Sequence, residues 1–310
     1  MKLNPYPGYE THVLMNIGGP EYHYTMEEIQ ATIAEGKPAP GTTITDTQIP
    51  GPDDGQQLKL HVIKPANLPE KAPIVMDIHG GGFISGRVEI DDSRNLLVAE
   101  NMPCIVISVD YRLCVNGIHY PKPLQDCVTA WRWIHDHAEE LGGDPERMGL
   151  MGTSAGGTLC AALQLYVRDH GLPAPKLTAL VCAALKRGKT SSKLKFGELG
   201  PDGTPFPDSP DYQYLPADGQ PTPYYAFPGY CEDLSGIGPT FVIAAEYDPL
   251  LADDMEYATR LMESEVPCEV FVAPRVTHGY AVVDHPLTRL TQRMITAAFK
   301  REFGMEVGEI

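Results

Sequence analysis

Apolar positions follow two different periods along the chain. In "TTITDTQI" (42–49) and "LKLHVIK" (58–64) they alternate with polar ones, the period of a half-buried strand. The turn-rich "PGPDDGQQ" between the two predicts an antiparallel hairpin with a long turn. From residue 73 the apolar runs become short and continuous: "PIVMDI" (73–78), "CIVISV" (104–109), "RMGLM" (147–151), "LTALVCAA" (177–184), "TFVIAA" (240–245) and "CEVFVA" (268–273). Strands apolar on both faces belong to a parallel sheet covered by helices. The intervening helices show the longer period. Leu124, Val128, Trp131, Ile134, Ala138 and Leu141 share one helical face that Gly142-Gly143 closes, a second helix runs from Ala155 to about 168, and a third lies around 253–264. The pattern predicts an α/β fold with a mostly parallel central sheet flanked by helices.

Two segments stand outside this rhythm. Residues 1–40 are polar, carry one short helical candidate at 26–35 and end in the breaker run 36–40. Residues 186–239 open on the basic "KRGKTSSKLKFG" and continue rich in proline, tyrosine and aspartate. An insertion of this length in a compact domain is usually a lid or a linker, and the strand-like segment that follows at once favours a lid, with a disordered surface excursion as the alternative. Both segments are therefore expected to cap a single domain spanning 1–310. The basic run 186–195 is expected to be a solvated lid face, with contact to an acidic leaving group as the alternative.

Candidate chemistry sits at the strand ends. "GTSAG" (152–156) places Ser154 between an apolar strand and a helix, where small neighbours permit the strained turn that lifts a nucleophilic hydroxyl above a sheet. "HGGGF" (79–83) follows the strand 73–78. Gly81 and Gly82, with the N–H of Ala155 at the helix start, are the candidate oxyanion hole. Asp248 and His278 follow the last two strands, in the order serine, acid, histidine. Glu246, Asp253 and Asp254 are rival acids, and His285 is a rival base. His135 and His137 point to different helix faces and suggest no metal pair. Phe83, Tyr111 and Tyr280, adjacent to these motifs, are candidates for the pocket wall, with core packing as the alternative.

"HGGGF", "VDYRL", "GGDPERMGLMGTSAGG", "AAEYDPL" and "THGY" together resemble the hormone-sensitive-lipase-like branch of the α/β-hydrolase family, the bacterial type IV esterases, over about residues 42–303. The resemblance implies a capped serine esterase with Ser154, Asp248 and His278 as the triad and Gly81, Gly82 and Ala155 as the oxyanion hole. It implies a small-molecule ester as substrate and neither metal nor organic cofactor. Two departures stand out: Thr153 where many relatives carry aspartate, and Cys114-Val115-Asn116-Gly117 after "DYRL" where most continue Ala-Pro-Glu. Amide or lactone hydrolysis on the same triad is one alternative. A catalytically silent small-molecule receptor is another, against which the complete triad argues.

Composition narrows the partners. A formal charge of −17 disfavours nucleic acid and anionic membrane surfaces. The start "MKLNPYPGYE" lacks the apolar run of a secretory signal, no stretch approaches a membrane span, and the seven cysteines include no C-x-x-C pair. A cytoplasmic protein with reduced thiols is expected. Short acyl chains are expected too, since no extended apolar stretch suggests an interfacial lipase surface. Strand 268–273, if at the sheet edge, would let two copies pair as a homodimer.

Overall fold

The computed structural model describes residues 4–9, 35–196, 210–216 and 220–308. The helix expected at 26–35 falls almost wholly outside the described residues, as do 197–209 of the insertion. Eight strands form one sheet in the order β1-β2-β4-β3-β5-β6-β7-β8: β1 (Thr43–Pro50), β2 (Gln57–Lys64), β3 (Ala72–Ile78), β4 (Ile105–Val109), β5 (Gly143–Thr153), β6 (Thr178–Val181), β7 (Thr240–Ala245) and β8 (Cys268–Ala273). β2 pairs antiparallel with both β1 and β4, and every other pairing is parallel. The alternating segments thus form the antiparallel hairpin, and the continuously apolar ones form the parallel centre.

Side chains alternate across the sheet and feed two cores. On one face Ile74, Met76 and Ile78 of β3 pack with α2 (Lys122–Asp136), α3 (Ala155–His170) and α6 (Leu251–Glu263). On the other, Val75 and Met151 pack with α1 (Asp92–Asn101) and α7 (Pro286–Glu302). Two short helices, α4 (Ser191–Phe196) and α5 (Pro210–Tyr214), belong to the insertion. The face predicted for α2 is the buried one, with Trp131 and Ile134 fully enclosed, although the helix stops at Asp136 and Ala138 and Leu141 lie in the turns beyond. β6 ends sooner than its apolar run, because Cys182 turns into the left-handed region at φ 49°. No helix among the described residues is long and apolar enough to cross a membrane.

The hairpin is tied to the rest by charge. His61 of β2 hydrogen-bonds through Nδ1 to Asp46 of β1 at 2.7 Å, and its Nε2 lies 3.4 Å from the Asp92 carboxylate of α1. Asp92 chiefly, with Asp46, raises the imidazole to about 9 against the loss from burial. A group held above its unfolded value of 6.5 stabilises the fold fully below that pH, and the contribution is lost as pH rises through about 9. Urea unfolding from pH 6.5 to 9 should therefore show a decline in stability that is reduced in His61→Gln. Parallel pH curves for the two proteins would contradict it.

Candidate active site

Four strand ends converge on one edge of the sheet, the position at which open α/β folds bind ligands. Ser154 follows β5 with φ 56° and ψ −122°, a conformation L-residues rarely adopt. This strain has a steric source: helix α3 passes so close to β3 that a Cβ on Gly156 would lie 1.9 Å from the Ile78 carbonyl oxygen. Only glycine permits that approach, so the chain must turn sharply at Ser154.

The serine meets its partners in line. His278 Nε2 is 2.9 Å from Ser154 Oγ, and His278 Nδ1 is 2.9 Å from Asp248 Oδ2. Asp248 is fully buried, and its other oxygen accepts the Leu250 N–H at 2.8 Å. With one carboxylate oxygen held by backbone and the other by the imidazole, the ring orientation is fixed from behind. The rival acids are engaged elsewhere: Glu246 accepts from the Arg275 N–H, Asp253 from Lys193 Nζ and Asp254 from the Ala183 N–H. His285 caps α7 by accepting the Leu287 N–H.

Behind the array lies Cys182, which motif reading did not single out. Its Sγ, an Asp248 oxygen and a His278 nitrogen lie within 4.8 Å of one another. Burial, followed by the Asp248 charge, holds the thiol well above its ordinary value, so it stays protonated. Both imidazole nitrogens are committed to Ser154 and Asp248, an arrangement for moving a proton rather than for ligating a metal.

Opposite the serine, the glycine loop is held by its carbonyls. Gly80 O accepts from His79 Nδ1 at 2.7 Å, and Gly81 O accepts from Ile84 N, Ser85 N and Ser85 Oγ. Across a trans peptide the next N–H points the other way, so these bonds turn the Gly81 and Gly82 N–H groups away from the turn. Gly81 itself has φ 119°, and a Cβ there would strike Ser85 O at 2.1 Å. Burial lowers the His79 pKa, so the ring is neutral and donates through Nδ1. The departing segment after "DYRL" supports the loop, because Cys114 N donates to Phe83 O at 2.7 Å. Gly81, Gly82, Ser154, Ala155 and His278 all line one cavity of about 340 Å³.

Phe83 lines this cavity and stacks on Tyr214 with ring centroids 3.8 Å apart. Tyr111 and Tyr280 do not line it. Tyr111 stacks against His79 and donates to the His79 carbonyl oxygen at 3.0 Å, and Tyr280 is enclosed between Tyr9 and Thr291. Both belong to the core, since each hydroxyl finds its partner inside. The basic run is also less solvated than expected. Lys189 and Lys195 are exposed, but Lys193 is buried against Asp253 in the cavity wall.

Thr153 has a specific setting. Its hydroxyl accepts from Arg94 Nη1 at 2.5 Å, and Arg94 Nη2 binds Asp77 and lies 3.4 Å from Asp91. Asn95 and Ser108 complete the network on Asp77. Burial pushes the Asp91 carboxyl up to about 6 against the pull of Arg94. One guanidinium already serves two buried carboxylates. A third at position 153 would lack a counter-charge, so a neutral hydroxyl fits there.

A family model for the alpha/beta hydrolase fold matches residues 75–282. Among the relatives, esterase LipI of Mycobacterium tuberculosis is 31% identical over 83% of this chain and 82% of its own length. Carboxylesterase NlhH of the same species is 33% identical over 74% of this chain and 73% of its own. A solved structure described as a bacterial heroin esterase superposes with a TM-score of 0.78 at 31% identity, covering 85% of each chain. An arylesterase structure superposes with a TM-score of 0.81 at 27% identity, covering 98% of this chain and 100% of that one. The chain belongs to the α/β-hydrolase family, in its hormone-sensitive-lipase-like branch, and is by class a serine carboxylesterase.

Proposed function

We propose that the protein hydrolyses short-chain carboxylic esters through an acyl-enzyme on Ser154. His278 takes the hydroxyl proton as Oγ attacks the ester carbonyl, and Asp248 stabilises the imidazolium. The N–H groups of Gly81, Gly82 and Ala155 receive the oxyanion. His278 then gives its proton to the departing alkoxide, releasing the alcohol. Water, activated by the same imidazole, cleaves the acyl-enzyme and regenerates Ser154. The observation that carries this reading is the continuous Ser154–His278–Asp248 hydrogen-bond line at a strained strand–helix turn, facing the glycine loop across a shared cavity.

Short acyl specificity is supported by the cavity, whose wall includes Phe83, Leu250 and Val282 within about 340 Å³. Helices α4 and α5 contribute Lys193, Pro210 and Asp211 to its wall, which supports the insertion as its cap. A cytoplasmic setting fits seven cysteines with none in a disulfide. The end position of β8 supports a homodimer joined along that edge. The test is kcat/KM across p-nitrophenyl acetate, butyrate, octanoate and laurate. It should be highest at acetate or butyrate and fall at least about tenfold by laurate. A maximum at octanoate or laurate would contradict the short-chain reading.

A further inference from the structure

The cavity wall contributed by the insertion is charged, and esterase chemistry at Ser154 makes no use of that charge. Lys193 of α4 is only 2% exposed, yet it lines the cavity with Ser154. Its ammonium donates to the Lys186 carbonyl oxygen at 2.6 Å and to Asp253 Oδ2 at 3.1 Å. An ammonium has three N–H donors. The third has no hydrogen-bond partner among the described residues. Asp211 of α5 lines the same cavity, and its carboxylate likewise has no hydrogen-bond partner among them. Burial raises the Asp211 carboxyl above its ordinary value, with Lys193 opposing.

Among the described residues, the wall built by the insertion therefore offers the cavity one unsatisfied donor and one unsatisfied acceptor. A plain alkyl alcohol moiety would cover both groups without replacing the water it displaces, at the cost of stranding polar groups. A net anion fits poorly, because Asp253 already neutralises Lys193 and Asp211 stands in the same cavity. A cationic head group has no acceptor to offer the third N–H of Lys193. A hydroxyl both donates and accepts, so neighbouring hydroxyls on one molecule satisfy the lysine and the aspartate together.

We infer that the alcohol moiety of the substrate is a small polyhydroxylated one, a polyol or sugar, whose hydroxyls bind Lys193 and Asp211. The inference rests on the serine-esterase reading and specifies its substrate. Glycerol monoacetate and propyl acetate share a carbon skeleton and differ in the two hydroxyls. Rates for both, with acetylcholine as the cationic ester and O-acetyl-lactate as the anionic one, are measured by pH-stat titration on the intact protein.

The wild type should favour glycerol monoacetate over propyl acetate by at least about tenfold in kcat/KM. Asp211→Asn should reduce that ratio several-fold. The Lys193→Met/Asp253→Asn pair, which removes both members of the buried ion pair and so avoids a stranded charge, should do the same. A ratio near one, a preference for either charged ester, or a ratio unmoved in both variants would overturn the polyol assignment while leaving ester hydrolysis intact. Failure of the wild type to cleave any of the four acetates or the p-nitrophenyl series would instead remove the serine-esterase reading itself.

Discussion

Ser154→Ala should lower turnover of p-nitrophenyl acetate by about 10⁴- to 10⁶-fold, because on the proposed mechanism the variant loses the atom that forms the acyl-enzyme. His278→Ala should fall in the same range, and combining the two should add little, since residues of one relay act as a unit. Asp248→Asn should cost about 10⁴-fold, as the amide would present the wrong hydrogen-bonding face to His278 Nδ1. Ser154 is half-buried and belongs to neither hydrophobic core, so Ser154→Ala should unfold within about 1 kcal/mol of the parent. That separates lost chemistry from lost fold. Retention of more than a few per cent of wild-type turnover in a folded Ser154→Ala protein would remove the serine from the mechanism.

Arg94→Met should produce the largest loss of stability, about 3–5 kcal/mol in urea unfolding, because two buried carboxylates would lose their shared cation. Asp77 is wholly enclosed and Asp91 nearly so. The site should suffer with the fold, since Arg94 also holds the Thr153 hydroxyl one residue before the nucleophile. Adding Asp77→Asn to Arg94→Met removes one stranded charge and should recover part of the loss. A destabilisation below about 1 kcal/mol for Arg94→Met would show that the network is not what holds this end of β3 to β5.

The elements legible in the sequence were those whose apolar pattern had a single physical reading. Strands β7 and β8 coincide with "TFVIAA" and "CEVFVA" because one is flanked by Pro239 and the Glu246-Tyr247-Asp248 loop and the other by Pro267 and Pro274. The end of β6 was not legible. It depends on a positive φ at Cys182, which no propensity assigns to cysteine. Helix α1 is not legible in the sequence, since it buries Arg94 and Asn95 along with Leu96, and polar residues on a buried face blur the periodicity.

The residues of the proposed relay are legible because each stands at a strand end within a short motif. Their supports are not, because they come from distant segments. Lys193 and Asp211 lie in a stretch whose composition suggests only a lid, and Lys193 becomes part of the cavity through Asp253, 60 residues away. Tyr111 and Tyr280 illustrate the converse. Adjacency to a motif does not say which way a ring faces, and both turn inward to hydroxyl partners.

The proposed mechanism requires a single covalent intermediate on Ser154. The most direct measurement is intact-protein mass spectrometry after incubation with a p-nitrophenyl alkylphosphonate, followed by fragmentation of the peptide spanning 148–168. One phosphonyl adduct per chain is expected, on Ser154, appearing in step with loss of esterase activity. Full inactivation with the adduct on another residue, or full labelling of Ser154 with activity retained, would contradict it.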